Sequence, residues 1–290
     1  MAYSTRYTAY VQGTLPGIAV LSSQAMRAAE IFERWYVASI LEPALGRGRA
    51  RRRMAELAEI RDRLLAEATI APTADVLDVS CAYGLLTYPA GEEAGHAIGV
   101  DQEPAVVTAG RQVPAVGASL GIAAPTHLPF PDARFDVVLW RGALGRSPSS
   151  AGSILAEATR VLRPEGRLAF AEPVPMEARP EDPALRDLWS LLRDPSTGIF
   201  HRDGLSDAVE RAGFDRVRVQ IERRRAAIED ERAVHEIFDG ILPASIPLAG
   251  IWSHAGVADA IIRAFVDTLV ARVPATLEVP EAYVTAEKPR

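Results

Sequence analysis

A short apolar run at residues 76–79 leads directly into small residues and then into a helical pattern. The run has the length and the β-branched side chains of a buried strand, and Ser80, Ala82 and Gly84 fall in the tight turn after it. Open α/β sheets bind nucleotide-like ligands at the carboxyl ends of their strands, where small residues let the backbone approach the ligand and helix N–H groups point at it. The segment therefore predicts a strand, a turn and a helix N-terminus that face such a ligand.

A second apolar strand is predicted at residues 96–100, and it ends in Asp101. This aspartate follows the first turn by about 20 residues, the spacing at which an acidic side chain typically binds the ribose hydroxyls of a nucleotide. The small-residue turn and the aspartate together predict a nucleoside cofactor.

Strands and helices alternate through the middle of the chain. Further strands are predicted at residues 121–123, 135–140, 167–172, 215–221 and 282–286. This alternation predicts an α/β fold with a largely parallel sheet that is covered by helices on both faces. Helical periodicity before the first strand, and again from Glu229 to Val273, predicts N-terminal helices and a helical insertion before the last strand.

These patterns divide the chain of 290 residues into four predicted parts. Residues 1–70 are expected to form an N-terminal helical cap, and residues 71–225 the cofactor-binding core. Residues 226–277 are expected to form a helical lid over the substrate, and residues 278–290 the final strand of the core sheet. The length allows one large domain or two modest ones.

Composition and charge narrow the class of protein. The net charge of −6 argues against nucleic-acid binding through a broad basic face. The single cysteine, Cys81, excludes an intramolecular disulfide, and no Cys/His spacing resembles a metal site. The most apolar stretch, residues 241–252, is short and interrupted by Pro243 and Pro247, so we expect no membrane span. The chain start lacks a secretion-signal pattern, and we expect a soluble cytoplasmic protein, either monomer or homodimer.

The order of motifs resembles that of the class I S-adenosylmethionine (SAM)-dependent methyltransferases over about residues 74–222 and the final strand. In that family the first strand ends in an acidic residue before a Gly-x-Gly-x-Gly loop, and the second strand also ends in an acidic residue. Asp78, residues 80–84 and Asp101 match these features. The later strands are matched by LPFPDARFDVV at residues 128–138 and by residues 154–173 and 208–219. The resemblance implies a Rossmann-like sheet with an antiparallel last strand, SAM as cofactor and S-adenosylhomocysteine (SAH) as its product.

The resemblance also implies roles for individual residues. The methionine part of SAM would be surrounded by four residues of the first strand and its loop, namely Asp78, Ser80, Ala82 and Gly84. Asp101 would hold the ribose hydroxyls, with Gln102 beside the adenine. Trp140 and Arg141, just after the fourth strand, would face the cofactor and the transferred methyl group, and Tyr36 would cap the cofactor.

Three positions depart from the family pattern. Ser80 and Ala82 replace two glycines of the loop, and both side chains are small enough for it if the local φ is negative. Ala124 occupies the position, beside the adenine, where the family usually has an acidic residue. The departures leave open an enzyme repurposed for non-methylating chemistry, such as a cyclase or isomerase of natural-product biosynthesis, with SAM structural or absent. A binding or regulatory protein without chemistry is a third alternative.

Candidate catalytic residues come from histidine and arginine. His201 and His254 are candidate general bases because histidine titrates near neutral pH. Arg141 would hold the carboxylate of SAM, a substrate acid or a protein carboxylate. The apolar stretch at residues 241–252 fits the wall of a pocket for an apolar substrate. We therefore expect a SAM-dependent methyltransferase that acts on a small, rather apolar molecule, either a specialised metabolite or a lipid-like acceptor.

Overall fold

A mixed β-sheet forms the centre of the molecule. The computed structural model describes residues 27–114, 117–146, 148–174, 183, 186, 202–239, 248–254 and 257–290. Within these ranges seven strands pair in the order β3-β2-β1-β4-β5-β7-β6. They are β1 (Val76–Val79), β2 (Ala97–Asp101), β3 (Ala118–Ile122), β4 (Phe135–Arg141), β5 (Leu162–Pro173), β6 (Asp215–Ile228) and β7 (Ala275–Glu287). Neighbouring strands among β1–β5 are parallel, whereas β7 is antiparallel to both β5 and β6, so the predicted fold class is confirmed.

Helices precede the sheet, alternate with its strands and return before its last strand. The first group comprises α1 (Ala28–Tyr36), a π-helical turn (Val37–Leu41), α2 (Glu42–Leu45) and α3 (Arg47–Ala68). The second comprises α4 (Thr87–Ala94), α5 (Pro104–Gly110), α6 (Ala143–Arg146), α7 (Ala151–Val161) and α8 (Arg202–Arg211). The insertion comprises α9 (Glu231–Phe238), α10 (Leu248–His254) and α11 (Asp259–Val270). The predicted N-terminal helices are confirmed, and α2 and α3 are separated at Gly46, whose φ is +77°. No helix within the described ranges is both long enough and apolar enough to cross a membrane.

Different helices cover the two faces of the sheet, because successive side chains of a strand point to opposite faces. On one face, Val138 and Trp140 of β4 belong to a hydrophobic cluster with α7 and α8. On the other face, Val137 and Leu139 belong to a cluster with α3 and α4. β4 is therefore buried on both sides, which explains its continuous apolar sequence.

β6 and β7 extend beyond their predicted bounds as a long antiparallel ribbon. Their pairing runs from Asp215 opposite Glu287 to Ile228 opposite Ala275, well past the strands expected at 215–221 and 282–286. The sequence of residues 223–227 is RRRAA, which lacks the apolar alternation by which a strand is recognised. Pairing with β7 supplies the hydrogen bonds of this part of the ribbon. The helices α9–α11 form a third hydrophobic cluster that includes residues of the ribbon.

Phe265 of α11 lies at the centre of that third cluster, with its ring centroid 5.6 Å from that of Phe238 and 5.4 Å from that of Trp252. We expect Phe265→Ala to lower the free energy of unfolding by about 3–5 kcal/mol, measured by urea denaturation. The exposed Arg263 on the same helix provides the control, since Arg263→Ala should stay within about 0.5 kcal/mol of the wild type. Similar small effects of both variants would show that the insertion does not unfold together with the core.

Candidate active site

The loop after β1 forms a tight turn with left-handed backbone at three positions. Ser80, Ala82 and Gly84 have φ values of +58°, +51° and +98°. The condition of negative φ at Ser80 and Ala82 is therefore not met, and a left-handed conformation costs a non-glycine residue roughly 1–2 kcal/mol. Glycine is retained where a side chain would not fit, since a Cβ at residue 84 would lie 2.5 Å from the ring of Tyr88.

Asp101 holds this loop against the end of β2. Its carboxylate is only 4% exposed and accepts hydrogen bonds from the backbone N–H groups of Ala82 at 2.9 Å and Glu103 at 3.0 Å. A guanidinium nitrogen of Arg146, on α6, lies 3.4 Å from the same carboxylate. The aspartate predicted to bind ribose hydroxyls thus lies beside the predicted loop. A ribose would have to replace Arg146 at this carboxylate.

Asp78, in β1, is buried beside the same loop. Its Oδ2 accepts a hydrogen bond from the hydroxyl of Thr87 at 2.6 Å, whereas Oδ1 has no hydrogen-bond partner within the described ranges. Burial raises the pKa of Asp78 to about 7, and the nearby charge of Asp101 acts in the same direction. Buried polar atoms without partners are rare in folded proteins, so this oxygen marks a candidate ligand contact.

A small cavity, called here the cofactor cavity, adjoins the loop. It is lined by Phe32, Tyr36 and Leu57 from the N-terminal helices, by Asp78, Ser80, Cys81, Ala82, Tyr83, Leu85 and Leu86, and by Arg141 and Arg146. Its volume is about 60 Å³. Ligand pockets typically measure about 300–1,000 Å³. The structure therefore presents a narrow form of this site, and a nucleoside can enter only if the lining residues move apart.

The chemistry of this lining fits SAM, whose methionine end carries an ammonium group and a carboxylate. The Oδ1 atom of Asp78 suits the ammonium group, and the guanidinium groups of Arg141 and Arg146 suit the carboxylate. The carboxylate of Asp101 suits the ribose hydroxyls. Tyr36 lines the cavity, as expected for a residue that caps the cofactor.

Several predicted site residues do not line the cofactor cavity. Trp140 points to the opposite face of the sheet from Arg141, because adjacent residues of a strand alternate. It is fully buried there and stacks on Phe170 with ring centroids 4.5 Å apart. Gln102 is exposed and Ala124 is half-buried, and neither is among the lining residues.

Gly84 and the two histidines complete the predicted set. Gly84 packs against Tyr88 and is not part of the cavity lining. His201 lies outside the described residues. His254 is the last residue of α10, and its side chain also lies outside the described part. Their roles as general bases stay predictions.

Cys81 is buried against the loop and lines the cofactor cavity. Burial raises the pKa of the Cys81 thiol, and the neighbouring carboxylates act in the same direction. A thiol in such surroundings is a poor nucleophile, because the thiolate is the reactive form.

A second cavity of about 370 Å³, called here the large cavity, opens on the other side of Arg141. Its walls are formed by α3, the β6–β7 ribbon, α9 and α10. Ion pairs join α3 to the opposite wall, among them Arg49 with Asp230 at 3.1 Å, Arg52 with Glu229 at 2.8 Å and Glu59 with Arg224 at 2.8 Å. Its inner part also contains apolar side chains, namely Ile60, Ile237, Leu248 and Val279.

The apolar stretch at 241–252 contributes only part of this wall within the described residues. Leu248 lines the large cavity, whereas Trp252 is buried in the cluster of the helical insertion. Residues 241–247 lie outside the described part of the chain.

Arg141 lines both cavities and separates them. Its Nε atom lies 3.2 Å from Oε1 of Glu281, on β7; the side chain of Glu281 is buried and that of Arg141 is half-buried. Neither atom makes a hydrogen bond within the described ranges, so the two groups are close in space but not aligned. Of the three carboxylates considered for Arg141, the structure shows the one from the protein.

Glu172 of β5 anchors α6, the short helix that carries Arg146. Its carboxylate accepts hydrogen bonds from the indole of Trp140 at 3.0 Å and from the backbone N–H groups of Leu144 at 2.8 Å and Gly145 at 3.0 Å. Burial raises the pKa of Glu172 to about 7 despite these donors. The residue therefore positions one wall of the cofactor cavity.

Sequence reasoning missed Arg146, Glu172 and Glu281. Glu172 stands at the end of a predicted strand, and an acidic residue after an apolar run is a usable signal. No comparable signal identifies Glu281, because only the tertiary fold brings β7 next to the end of β4.

The left-handed φ of Ala82 predicts that Ala82→Gly stabilises the fold. Relief of the strain is worth roughly 1–2 kcal/mol, and the greater entropy of an unfolded glycine opposes it by about 0.5–1 kcal/mol. We therefore expect a net gain of about 0.5–1 kcal/mol in the free energy of unfolding by urea titration. Ala105→Gly, within α5, is the control and should lose about 1 kcal/mol. A loss in both variants would contradict the left-handed assignment.

Because the pKa values of Asp78 and Glu172 are raised in the folded state, we expect the free energy of unfolding to be higher at about pH 5 than at about pH 7.5. Burial raises the pKa of each carboxyl to about 7 from ordinary values of 3.8 and 4.5. Their stabilising contribution is complete below the unfolded pKa and is lost as the pH rises through the folded pKa, because the unfolded chain releases these protons first. Urea midpoints across this window measure the effect. The double variant Asp78→Asn/Glu172→Gln should flatten the profile, and wild-type stability that increases from about pH 5 to 7 would contradict the assignment.

Comparison with known proteins agrees with this geometry. A family model described as a methyltransferase domain matches residues 77–170. Nocamycin O-methyltransferase from Saccharothrix syringae is 34% identical over 129 residues, which cover 41% of this chain and 42% of that protein. Arsenite methyltransferase from Halobacterium salinarum is 28% identical over 159 residues, covering 52% of this chain and 40% of that protein. The match thus spans less than half the length of each of these curated relatives.

Solved structures agree on the fold. The YcgJ protein from Bacillus subtilis superposes with a TM-score of 0.55 at 15% identity, over 80% of this chain and 99% of that one. The matched segment, residues 77–170, extends from β1 into β5 and includes Asp78, the left-handed loop and Asp101. Residues 77–170 are thus similar to a methyltransferase domain, and this segment carries the part of the candidate site that lies in β1, its loop and β2.

Proposed function

We propose that this protein transfers a methyl group from SAM to a small molecule. The observation that carries the proposal is the wall shared by the two cavities, since Arg141 at the end of β4 lines both. Methyl transfer is an in-line displacement, and holding the acceptor and the methyl group in close approach accounts for much of the acceleration. Two cavities that meet at one side chain provide that arrangement.

The cofactor cavity would hold the methionine end of SAM through residues of its lining, and Asp101, which is not among them, would hold the ribose just beyond it. SAM supplies a methyl group on a positively charged sulfur. Asp78 would bind its ammonium group, Arg141 and Arg146 its carboxylate, and Asp101 its ribose hydroxyls.

We assign Gln102 and Ala124 to the adenine side because they follow β2 and β3 at the same edge of the sheet. The backbone N–H of Ala123 donates to the carbonyl oxygen of Asp101 at 3.1 Å, which ties these two strand ends together. The adenine would then lie beyond Asp101, on the side away from Arg141.

We propose an acceptor with an apolar body and at least one polar group. The apolar inner residues of the large cavity suit the body, and the half-buried Arg141 and the buried Glu281 suit the polar group. A wholly apolar acceptor would leave both charged groups without partners, which is costly in a buried site. The two relatives, named for arsenite and for nocamycin, support a small-molecule acceptor.

A second candidate function is cyclisation or isomerisation on a methyltransferase scaffold. The observations that favour it are the narrow cofactor cavity and the engagement of Asp101 by Ala82 and Arg146. In that case SAM would be absent or structural, and the large cavity would hold the substrate alone.

Calorimetric titration of the purified protein with SAM and SAH tests the proposal, after mass spectrometry for a copurified nucleoside. We expect binding by the wild type. We expect Asp101→Ala to weaken it by about tenfold or more, because hydrogen bonds to a charged group contribute about 1.5–3 kcal/mol. Glu103→Gln, at an exposed neighbouring position, is the control and should bind as the wild type does.

The outcomes separate the two candidate functions. Absence of binding and of a copurified nucleoside would overturn the methyltransferase proposal and favour the second candidate. Unchanged binding by Asp101→Ala would remove the ribose assignment. A substrate that gains 14 mass units, about the mass of one CH₂ group, would support transfer, whereas turnover without mass gain would support rearrangement.

A further inference from the structure

Glu281 lies at the inner end of the large cavity with an unsatisfied carboxylate oxygen. It is only 3% exposed, and its Oε1 atom has no hydrogen-bond partner within the described ranges. Its position is fixed from both sides, because it lies opposite Pro173 of β5 and opposite Glu222 of β6. The carboxylate therefore faces the cavity from a rigid part of the sheet.

Glu281 and Arg141 lie close together, but the contact gives neither group a hydrogen bond. A buried acceptor or donor without its hydrogen bond costs about 1–3 kcal/mol. Here the two atoms are 3.2 Å apart, and both lack a hydrogen bond within the described part of the chain. Such a cost at the wall between two cavities is typical of a functional site, where a ligand completes the polar contacts.

The surroundings of Glu281 limit what that ligand can present. A carboxylate oxygen accepts hydrogen bonds, and the remaining free group of the pair, the Nε–H of Arg141, donates one. An acceptor molecule with an O–H or N–H at its reacting atom can donate to Glu281, whereas a tertiary amine or a thioether cannot. The same cavity is lined by apolar side chains such as Ile60 and Val279 and by charged ones such as Arg53 and Arg224.

We propose that Glu281 is a catalytic residue that accepts the proton of a hydroxyl or amine acceptor in the large cavity, an inference that rests on the proposed methyltransferase function. The acceptor oxygen or nitrogen forms a bond to the methyl carbon. The bond between that carbon and the sulfur breaks, and its electron pair stays on the sulfur. The proton of the acceptor passes to the Glu281 carboxylate, and SAH leaves as the neutral thioether.

Arg141 acts in this step as a positioning residue. Its Nε atom lies 3.2 Å from Oε1 of Glu281, so the guanidinium holds the carboxylate at the wall between the two cavities. The side chain of Arg141 also lines the cofactor cavity. It would therefore keep the Glu281 carboxylate close to the methyl group of SAM. This assignment supplies a base from β7, in a part of the chain where sequence reasoning identified none.

The test compares acceptors that carry an acidic proton with acceptors that do not. The first group is phenol, benzyl alcohol and benzylamine. The second is pyridine and thioanisole, whose reacting atoms carry no proton at neutral pH, and all are offered with radiolabelled SAM. We expect Glu281→Gln to bind SAH as the wild type does and to lose about 100-fold or more of its transfer rate to the first group. Transfer to the second group should not change, because no proton has to be removed.

Two further variants keep the result interpretable. Glu278→Gln changes a carboxylate on the same strand that does not line the large cavity, and it should retain transfer to every acceptor. Glu281→Asp keeps the carboxylate on a shorter side chain and should retain part of the transfer to the first group. SAH affinity and circular dichroism, measured on each variant, show that the fold is intact.

The possible results distinguish the role of Glu281 from the acceptor class and from the proposed function. Equal losses by Glu281→Gln on both groups of acceptors, or no loss on either, would overturn the proton-accepting role. A wild type that binds SAH but methylates none of the first group would overturn the assigned acceptor class and leave the proposed function standing. Failure of the wild type to bind SAM or SAH would overturn the proposed function, and this inference with it.

Discussion

β7 pairs along both of its edges, and the arrangement of the candidate site depends on this double pairing. Its register with β5 sets Pro173 opposite Glu281, and its register with β6 sets Glu222 opposite the same residue. A slip of one residue would turn Glu281 to the other face of the sheet and remove it from Arg141. Because two neighbours fix the register, a carboxylate from the last strand meets a guanidinium from β4, although the two are distant in the sequence.

In the described part of the chain, four carboxylates are buried near the carboxyl ends of β1, β2 and β5, and they differ in how many hydrogen bonds they accept. Glu172 accepts three hydrogen bonds, and Asp101 accepts two from the backbone and pairs with Arg146. Asp78 and Glu281 each retain an oxygen without a partner within the described ranges. The two satisfied groups hold α6 and the β1 loop in place, whereas the two unsatisfied groups each line a cavity. The carboxylates that lack a hydrogen bond are therefore those that lie where a ligand would bind.

The sequence predicted those parts of the fold that local patterns specify. β1, β2 and β4 are continuous apolar strands buried on both faces, and the positions of Asp78 and Asp101 followed from them. The extension of β6 could not be predicted, because RRRAA becomes a strand only through its pairing with β7. The left-handed φ of Ser80 and Ala82 was also beyond prediction, since small side chains usually indicate a tight turn without specifying its backbone angles. Glu281 was missed for a third reason, namely that its partner lies in a different strand.

The narrow cofactor cavity has a consequence for the affinity of the cofactor. In the structure, Arg146 pairs with Asp101, the residue proposed to bind ribose, so a ribose bound as proposed would compete with this guanidinium. The site would then be in equilibrium between a narrow form and an open form. A ligand shifts this equilibrium only as far as its affinities for the two forms differ. Arg146 also lines the cavity that would receive the carboxylate of SAM. If SAM binds as proposed, the guanidinium of Arg146 would exchange the carboxylate of Asp101 for that of SAM, and opening the site would not leave this charge unpaired.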